Sequence, residues 1–290
     1  MALTRRELIG LLAAAGLPSW QTAFAQAPPL PLNTPGLDHL DVIVPDVEKS
    51  ARFYMGLFKT TLHAQPFQGG FRYFILLGPL PANRTVGYLA IGDSRGRGTY
   101  IGHFCTTVNE WRRDSAAIFA AMKAQFAAAG LGEFPTSTGF GGIFQDPDGI
   151  EIQFLPSPDT LVTAAVPSDL VPGMQGLVTP QRVDSTLLHV SNLNRAVDYY
   201  RVLYGRESSR EGNRATFSFK NGTRLLLEGT SYTYGTAKAR IARFGIRVAP
   251  FDRAATAAGI ATLGGKVLGE SAGGIILQDA DGIELELVSA

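Results

Sequence analysis

Cysteine is nearly absent: Cys105 is the only one in 290 residues. The chain cannot close an internal disulfide, so even in an oxidising compartment its stability must come from packing. Charge of one sign is equally scarce, with 26 Lys and Arg against 25 Asp and Glu and a net charge of +1. Scattered, balanced charge argues against a nucleic-acid surface, which needs a basic face to meet phosphates. Past the first 25 residues, no apolar run approaches the roughly 20 residues that span a bilayer as a helix, so no membrane span is expected in the mature protein. Long helical patterns are few and short strand patterns many, which predicts an α+β fold.

The opening residues are of a different kind. MALTRRELIGLLAAAGLPSWQTAFAQA has a basic start, an apolar run from Leu8 to Leu17 and the small-residue pattern Ala23-Phe24-Ala25 before a cleavage point. This is the composition of an export signal over residues 1–25, too short to be a membrane span. Thr4-Arg5-Arg6-Glu7-Leu8-Ile9 resembles the twin-arginine signal, whose pathway exports folded proteins to the periplasm; an ordinary secretory signal is the alternative. Cleavage after Ala25 leaves 265 residues, enough for two domains with cores of their own.

The mature chain repeats itself. In Leu37 to Tyr54, LDHLDVIVPDVEKSARFY, strand alternation puts His39, Asp41 and Ile43 on one face and Leu40, Val42 and Val44 on the other. Pro45 ends the strand, Asp46 caps a helix, and Val47, Ala51, Tyr54 and Phe58 recur at helical spacing. From Ser185 onward Leu188 and Val190 take the apolar strand face, Asn192 the cap, and Leu193, Val197, Tyr200 and Tyr204 the helical stripe.

Each half also repeats internally. Strands over residues 61–67, 71–77 and 86–91 follow the first helix; then come a strand over 100–108, an Ala-rich helix over 114–129, and strands over 134–138, 140–145 and 150–155. The last two flank the turn Asp146-Pro147-Asp148-Gly149, which Asp279-Ala280-Asp281-Gly282 matches in the second half. The expected domains are residues 37–156 and 184–290. Residues 157–183, Pro-rich and without steady periodicity, form a linker that would let the halves pack in almost any relation.

A strand beginning with His, a capped helix ending in Phe-Tyr, a second strand with His, and an Asp-Pro-Asp-Gly turn leading into a strand resemble the vicinal oxygen chelate superfamily. Glyoxalase I, extradiol dioxygenases and bleomycin-resistance proteins belong to it. The resemblance implies two tandem domains, each of paired βαβββ units curling into a cup-shaped sheet. In the metal-dependent members the ligand positions correspond to His39, His103 and Gln153 of this chain. Gln153 departs from the pattern, which has Glu four residues after the turn glycine. Glu151, on the same strand face, would supply the missing charge. Two imidazoles with oxygen donors would suit Fe(II), Mn(II) or Zn(II). In the second half Ser185 and Arg243 stand at the two histidine positions and Glu286 at the Glu position. That copy reads as metal-free, with Arg243 pairing bidentately with Glu286 and with His189 and Glu284 also facing its cup.

The resulting expectation is an exported, metal-dependent oxidoreductase resembling extradiol dioxygenases. It would act on a small-molecule substrate chelated through adjacent oxygens, with Asp41 or Glu151 as general base. Two other readings stand beside it: a glyoxalase-like lyase or isomerase, and a metal-free binding protein whose pocket is lined by Phe71, Tyr73, Phe74 and Tyr88. Cys105 reads as a buried small apolar residue and His63 as a structural histidine.

Overall fold

The computed structural model describes residues 30–78, 87–109, 116–131, 136–138, 141–156, 166–171, 176–230 and 239–290. The expected export signal lies outside them. Among the described residues the first half comprises β1 (Leu37–Val44), α1 (Val47–Leu57), β2 (Leu62–Phe67), β3 (Gly70–Leu76), β4 (Tyr88–Asp93), β5 (Tyr100–Val108), α2 (Ala116–Ala128), β6 (Thr136–Thr138), β7 (Gly141–Gln145) and β8 (Glu151–Pro156). After β9 (Val166–Pro167), the second half repeats the order: β10 (Thr179–Val190), α3 (Leu193–Tyr204), β11 (Ser209–Glu211), β12 (Arg214–Ser218), β13 (Arg224–Gly229), β14 (Arg240–Ala249), α4 (Arg253–Thr262), β15 (Lys266–Ser271), β16 (Gly274–Gln278) and β17 (Glu284–Ser289).

Each half forms one mixed sheet. The first runs β6-β7-β8-β5-β1-β4-β3-β2-β9, the second β11-β12-β13-β10-β14-β17-β16-β15. The first strands of the two units pair antiparallel at the centre, β1 with β5 and β10 with β14. Each also pairs parallel with the last strand of its own unit: β1 with β4, β5 with β8, β10 with β13, β14 with β17. This is the α+β architecture of paired βαβββ units in two tandem domains.

The alternation expected along β1 holds: Leu40, Val42 and Val44 are fully buried in the main core. Asp46 caps α1 by accepting from the Lys49 amide, and Asn192 caps α3 by accepting from the Arg195 amide, each at 3.0 Å. Both helices bury more than a stripe. On α1 the covered residues are Ser50, Ala51, Phe53, Tyr54, Met55, Gly56 and Leu57. A helix so widely buried has protein on two sides. One continuous core contains the inner-face residues of both sheets, from Leu40 and Phe104 to Phe244 and Leu285, together with Tyr54 and Tyr200.

The contacts that lock the halves follow the repeat. The Tyr54 hydroxyl on α1 donates to Asp279 at 2.8 Å, and Ser50 and Lys49 bond Asp281 at 2.5 and 2.7 Å. In mirror fashion the Tyr200 hydroxyl on α3 donates to Asp146 at 3.0 Å, while Ser191 and Arg195 bond Asp148. Each helix therefore satisfies the Asp turn of the other domain. Asp146 and Asp279 also hold their turns internally, accepting from Ile150 N and Asp148 N, and from Ile283 N and Asp281 N. Gly149 and Gly282 close these turns at φ +81° and +87°, where a side chain would be strained. Burial pushes both carboxyls up against the pull of these donors.

The linker expectation needs correction. Val166–Pro167 adds an edge strand beside His63 and Ala64, Ser168 N donates to Leu62 O, and Val178 exchanges backbone bonds with Lys59 and Leu57. Backbone groups of a docked segment find partners on the sheet edge, so this stretch does not leave the domain relation open. The strand opening the second half begins at Thr179, five residues before the expected boundary at 184.

Because one core spans both halves, urea unfolding followed by far-UV circular dichroism is expected to give a single transition. Tyr54→Phe and Tyr200→Phe should each cost about 1–3 kcal/mol, the penalty for stranding a buried acceptor. Two separate wild-type transitions would contradict the shared core.

Candidate metal and substrate site

The polar face of β1 and its neighbours gathers the expected residues of the first cup. Two irregularities in the β1–β5 pairing set their directions. Leu37 faces Thr106 but Leu40 faces Phe104, so β1 carries one extra residue at Asp38–His39. Asp41 then faces His103 while Val42 faces Ile101, so β5 carries one extra at Gly102. Such bulges re-aim side chains locally. The first brings Asp38 to the same side as His39, where its Oδ1 lies 2.9 Å from His39 Nδ1. At the second, a Cβ on Gly102 would lie 3.1 Å from Asp41 Oδ2, so the absent side chain leaves Asp41 its place.

His39 Nε2 lies 2.9 Å from Gln153 Oε1 on β8, with the Tyr88 hydroxyl of β4 at 3.4 Å. The imidazole stacks on Tyr88 at 4.2 Å and meets His103 edge-on at 5.6 Å between ring centroids. Asp41 Oδ2 sits 3.4 Å from His103 Nδ1, and its Oδ1 accepts from Arg72 of β3 at 2.5 Å. His39, Asp41, His103 and Gln153 are all buried. His103 Nε2 has no hydrogen-bond partner among the described residues. Burial pushes His103 down to about 4, with Asp41 and the Gln153 side chain opposing the shift and His39 and Arg72 adding to it. Its ring is therefore neutral at pH 7 and offers a lone pair.

Burial also pushes Asp38 up to about 7. When Asp38 is ionised, His39 Nδ1–H donates to it and Nε2 turns a lone pair toward the amide oxygen of Gln153. When Asp38 carries the proton, Nε2–H donates to that oxygen instead. The first state places two acceptors 2.9 Å apart. Two ligand atoms about 2.1 Å from one divalent cation, at right angles, lie about 3 Å apart, so that spacing fits a shared cation. Among the described residues no three His, Cys, Asp or Glu side chains group into a metal cage. His39, His103 and Gln153 supply two imidazoles and one amide oxygen, all neutral, while the Asp41 carboxylate beside them is held by Arg72.

With this geometry in view, the family comparison is direct. The family model of the Glyoxalase/Bleomycin resistance protein/Dioxygenase superfamily matches residues 36–154. The first domain belongs to that superfamily. No curated protein matches the chain. Among solved structures, the 2,3-dioxygenase LapB from Pseudomonas sp. KL28 superposes with a TM-score of 0.60 at 12% identity, over 90% of this chain and 93% of that one. The Mn(II)-bound glyoxalase from Novosphingobium aromaticivorans gives 0.60 at 13%, over 90% and 83%. A catechol 2,3-dioxygenase gives 0.60 at 13%, over 89% of each chain. The fold shared with these structures thus covers 89–90% of this chain.

Other expected residues fall outside the cluster around His39. Glu151 is the cross-strand partner of His103 in the β5–β8 register, but its carboxyl is bonded to Gln145 and raised by burial. Asp41 is pinned between Arg72 and His103, which makes it a better orienter of His103 than a free base. Of the pocket aromatics, Phe74 and Tyr88 form a small cluster with Leu76 and Ala90 on the cup side, but Tyr73 is in the main core and Phe71 is 51% exposed. Cys105 is fully buried; His63 lies across from Phe74 on β2, outside the imidazole pair. Sequence reasoning missed Asp38 and Arg72. Simple alternation sends Asp38 to the core with Leu40, and only the bulge reverses it.

The second cup is built differently. Ser185 and Arg243 stand at the histidine positions, but Arg243 Nε is 3.9 Å from Glu286 Oε2, a loose ion pair instead of the expected bidentate one. Both groups keep contact with water and gain little from pairing. The tighter pair belongs to Asp184, the extra residue of the β10 bulge and the counterpart of Asp38. Fully buried, Asp184 accepts from Arg224 at 2.5 Å and from Arg247 at 2.5 and 3.0 Å.

Burial raises the Asp184 carboxyl, but Arg224 and Arg247 outweigh it and hold the group below its ordinary 3.8. A carboxyl lowered in the folded state contributes stability that is complete above the unfolded value and is lost as pH falls through the folded one. Wild type should therefore lose stability steeply on acidification below about pH 4. Asp184→Asn should flatten that part of a denaturant-midpoint profile. Its cost at pH 7 should stay below the 3–5 kcal/mol of breaking a fully buried pair, because both arginines reach water. An unchanged acid limb in the variant would refute the assignment.

Proposed function

We propose that the protein is an exported, metal-dependent oxidoreductase of the extradiol dioxygenase kind, acting in its first domain on a small substrate with adjacent oxygens. The observation that carries this reading is the convergence of His39 Nε2, the orphaned His103 Nε2 and Gln153 Oε1 in one buried cup. These three would hold Fe(II), Mn(II) or Zn(II). A cation bound there supplies Lewis acidity to neighbouring substrate oxygens and open positions for a second reactant.

The chain's own residues have separate tasks in this proposal. Asp38 fixes the ring of His39, as a carboxylate behind a ligating imidazole does, and Asp41 does the same for His103. Tyr88 braces His39 by stacking. Glu151, whose half-buried carboxyl is raised by desolvation, accepts the substrate proton. Neutral ligands leave the cation's charge uncompensated, which favours a substrate that binds as an anion.

Two specific observations favour other readings. One solved neighbour is a Mn(II)-bound glyoxalase, which keeps a glyoxalase-like lyase or isomerase in view. Gln153 stands where the superfamily pattern has Glu, and rotating its amide would let NH₂ donate to His39 without any metal. That favours a metal-free small-molecule binder.

Elemental analysis of purified protein, with circular dichroism to confirm folding, separates these readings. Stoichiometric metal is expected in wild type and its loss in His39→Ala and His103→Ala. Gln153→Glu should keep or tighten binding by adding an anionic donor, and Arg243→Ala should leave metal content unchanged. Full metal in both histidine variants would remove the site; a wild type that resists loading with all three metals would favour the binder. Oxygen consumption with vicinal diols then separates dioxygenase from glyoxalase-like chemistry. For the export signal, changing Arg5 and Arg6 together to Lys should retain the protein in the cytoplasm, and undiminished export would reassign it to the ordinary secretory route.

A further inference from the structure

Arg72 carries more hydrogen-bonding capacity than its surroundings use. It lies in the strand GFRYFIL, where Tyr73 and Ile75 enter the main core and Phe74 and Leu76 the cup-side cluster, so alternation puts Arg72 on the cup face. Its guanidinium carbon sits 6.0 Å from the ring centroids of both Phe67 and Phe74, which restrict where it can go. One terminal nitrogen donates to Asp41 at 2.5 Å. The Nε atom is buried and has no hydrogen-bond partner among the described residues. A guanidinium is a donor only and cannot lose its proton, so a buried Nε–H without an acceptor leaves the cation under-satisfied by its own surroundings.

A cavity of ≈180 Å³ opens beside it, lined by Phe67, Phe71, Arg72, Gly92, Asp93 and Arg95 among others, so two cations face one carboxylate. Its Gly92 wall adjoins the carboxylate that holds Arg72: a Cβ on Gly92 would stand 3.9 Å from Asp41 Oδ1. Two aromatic rings on its wall, Phe67 and Phe71, are 45% and 51% exposed, although most large apolar side chains of the domain are covered. Arg95 is held on the rim at φ +51°, its amide bonded to the Asp93 carboxylate. Flat apolar walls, a buried unsatisfied cationic donor and a second cation at the mouth describe a complement to one chemistry.

We propose that this cavity is the anion end of the substrate site and takes the carboxylate of a flat aromatic acid. The partly exposed Arg72 guanidinium donates to a carboxylate oxygen, Phe67 and Phe71 cover the ring, and Asp41 holds the guanidinium in place while competing for it. Arg72 is then the specificity-determining residue, choosing acids over their neutral analogues. The inference rests on the first cup being the substrate site, as proposed above, but it does not need a metal to be bound.

The test is isothermal titration of the full mature protein, treated with EDTA, with benzoate and with its neutral isostere benzamide. Wild type should bind benzoate about tenfold more tightly than benzamide, and Arg72→Met should bring benzoate down to the benzamide level. Arg72→Lys keeps the charge without the guanidinium and should lose about fivefold in benzoate affinity; it decides the matter if Arg72→Met does not fold. Asp41→Asn should tighten benzoate by removing the competing carboxylate. Equal affinity for the two ligands, no binding of either at millimolar concentration, or a benzoate preference that survives unchanged in Arg72→Met or Arg72→Lys would overturn the inference. Metal content reads the functional proposal separately. A benzoate preference in a protein that takes up no metal keeps this inference and removes the dioxygenase reading; stoichiometric metal without the preference does the reverse.

Discussion

The reciprocal bond between a helix tyrosine of one domain and an Asp turn of the other is the constraint on which the structure depends. Tyr54 reaches Asp279 and Tyr200 reaches Asp146, each from within the main core. A buried phenol and a buried carboxyl each cost free energy to desolvate unless they meet. Both therefore stabilise only the arrangement in which the helices lie between the sheets. That arrangement turns the apolar faces of the two sheets toward one core and leaves each polar cup on the far side of its sheet. The helix cap, the turn glycine and the strand after the turn all serve this packing before they serve any chemistry.

Given that frame, the two cups diverge through charge compensation at one equivalent position. The bulge in the first strand of each domain turns an aspartate toward the cup. In the first domain Asp38 meets the ring of His39, while in the second Asp184 meets the guanidinium groups of Arg224 and Arg247. A carboxylate beside an imidazole fixes the ring and its tautomer, whereas one clamped by two arginines is spent on an ion pair. The same backbone irregularity thus supports an imidazole cluster in one half and an ion-pair cluster in the other. Duplication of a fold does not by itself duplicate a site.

Within the first cup, the network around Asp41 connects the imidazoles to the cavity at the rim. Asp41 takes Arg72 on one oxygen and stands near His103 with the other, so what happens to Arg72 bears on the orientation of His103. The neutral donor set and the pinned carboxylate have a common consequence. Under the proposed function, negative charge for a bound cation would come from the substrate, and the guanidinium beside the cavity would guide it.

Local pattern in the sequence was enough to determine the repeat, the α+β class, the strand faces and the helix caps, because alternation, capping and turn chemistry act over a few residues. It also put His39, His103 and Gln153 on faces that converge. Three features were decided only by tertiary structure. Asp38 joins His39 because a bulge, visible only in the pairing of β1 with β5, reverses its face. Arg72 enters the cup because β3 packs with its Tyr73 face inward, a choice between two faces that were both apolar enough to be buried. The relation of the domains was illegible because each half of the lock, a helix tyrosine and an Asp turn, is an ordinary local motif whose partner lies 54 residues away in one case and 225 in the other.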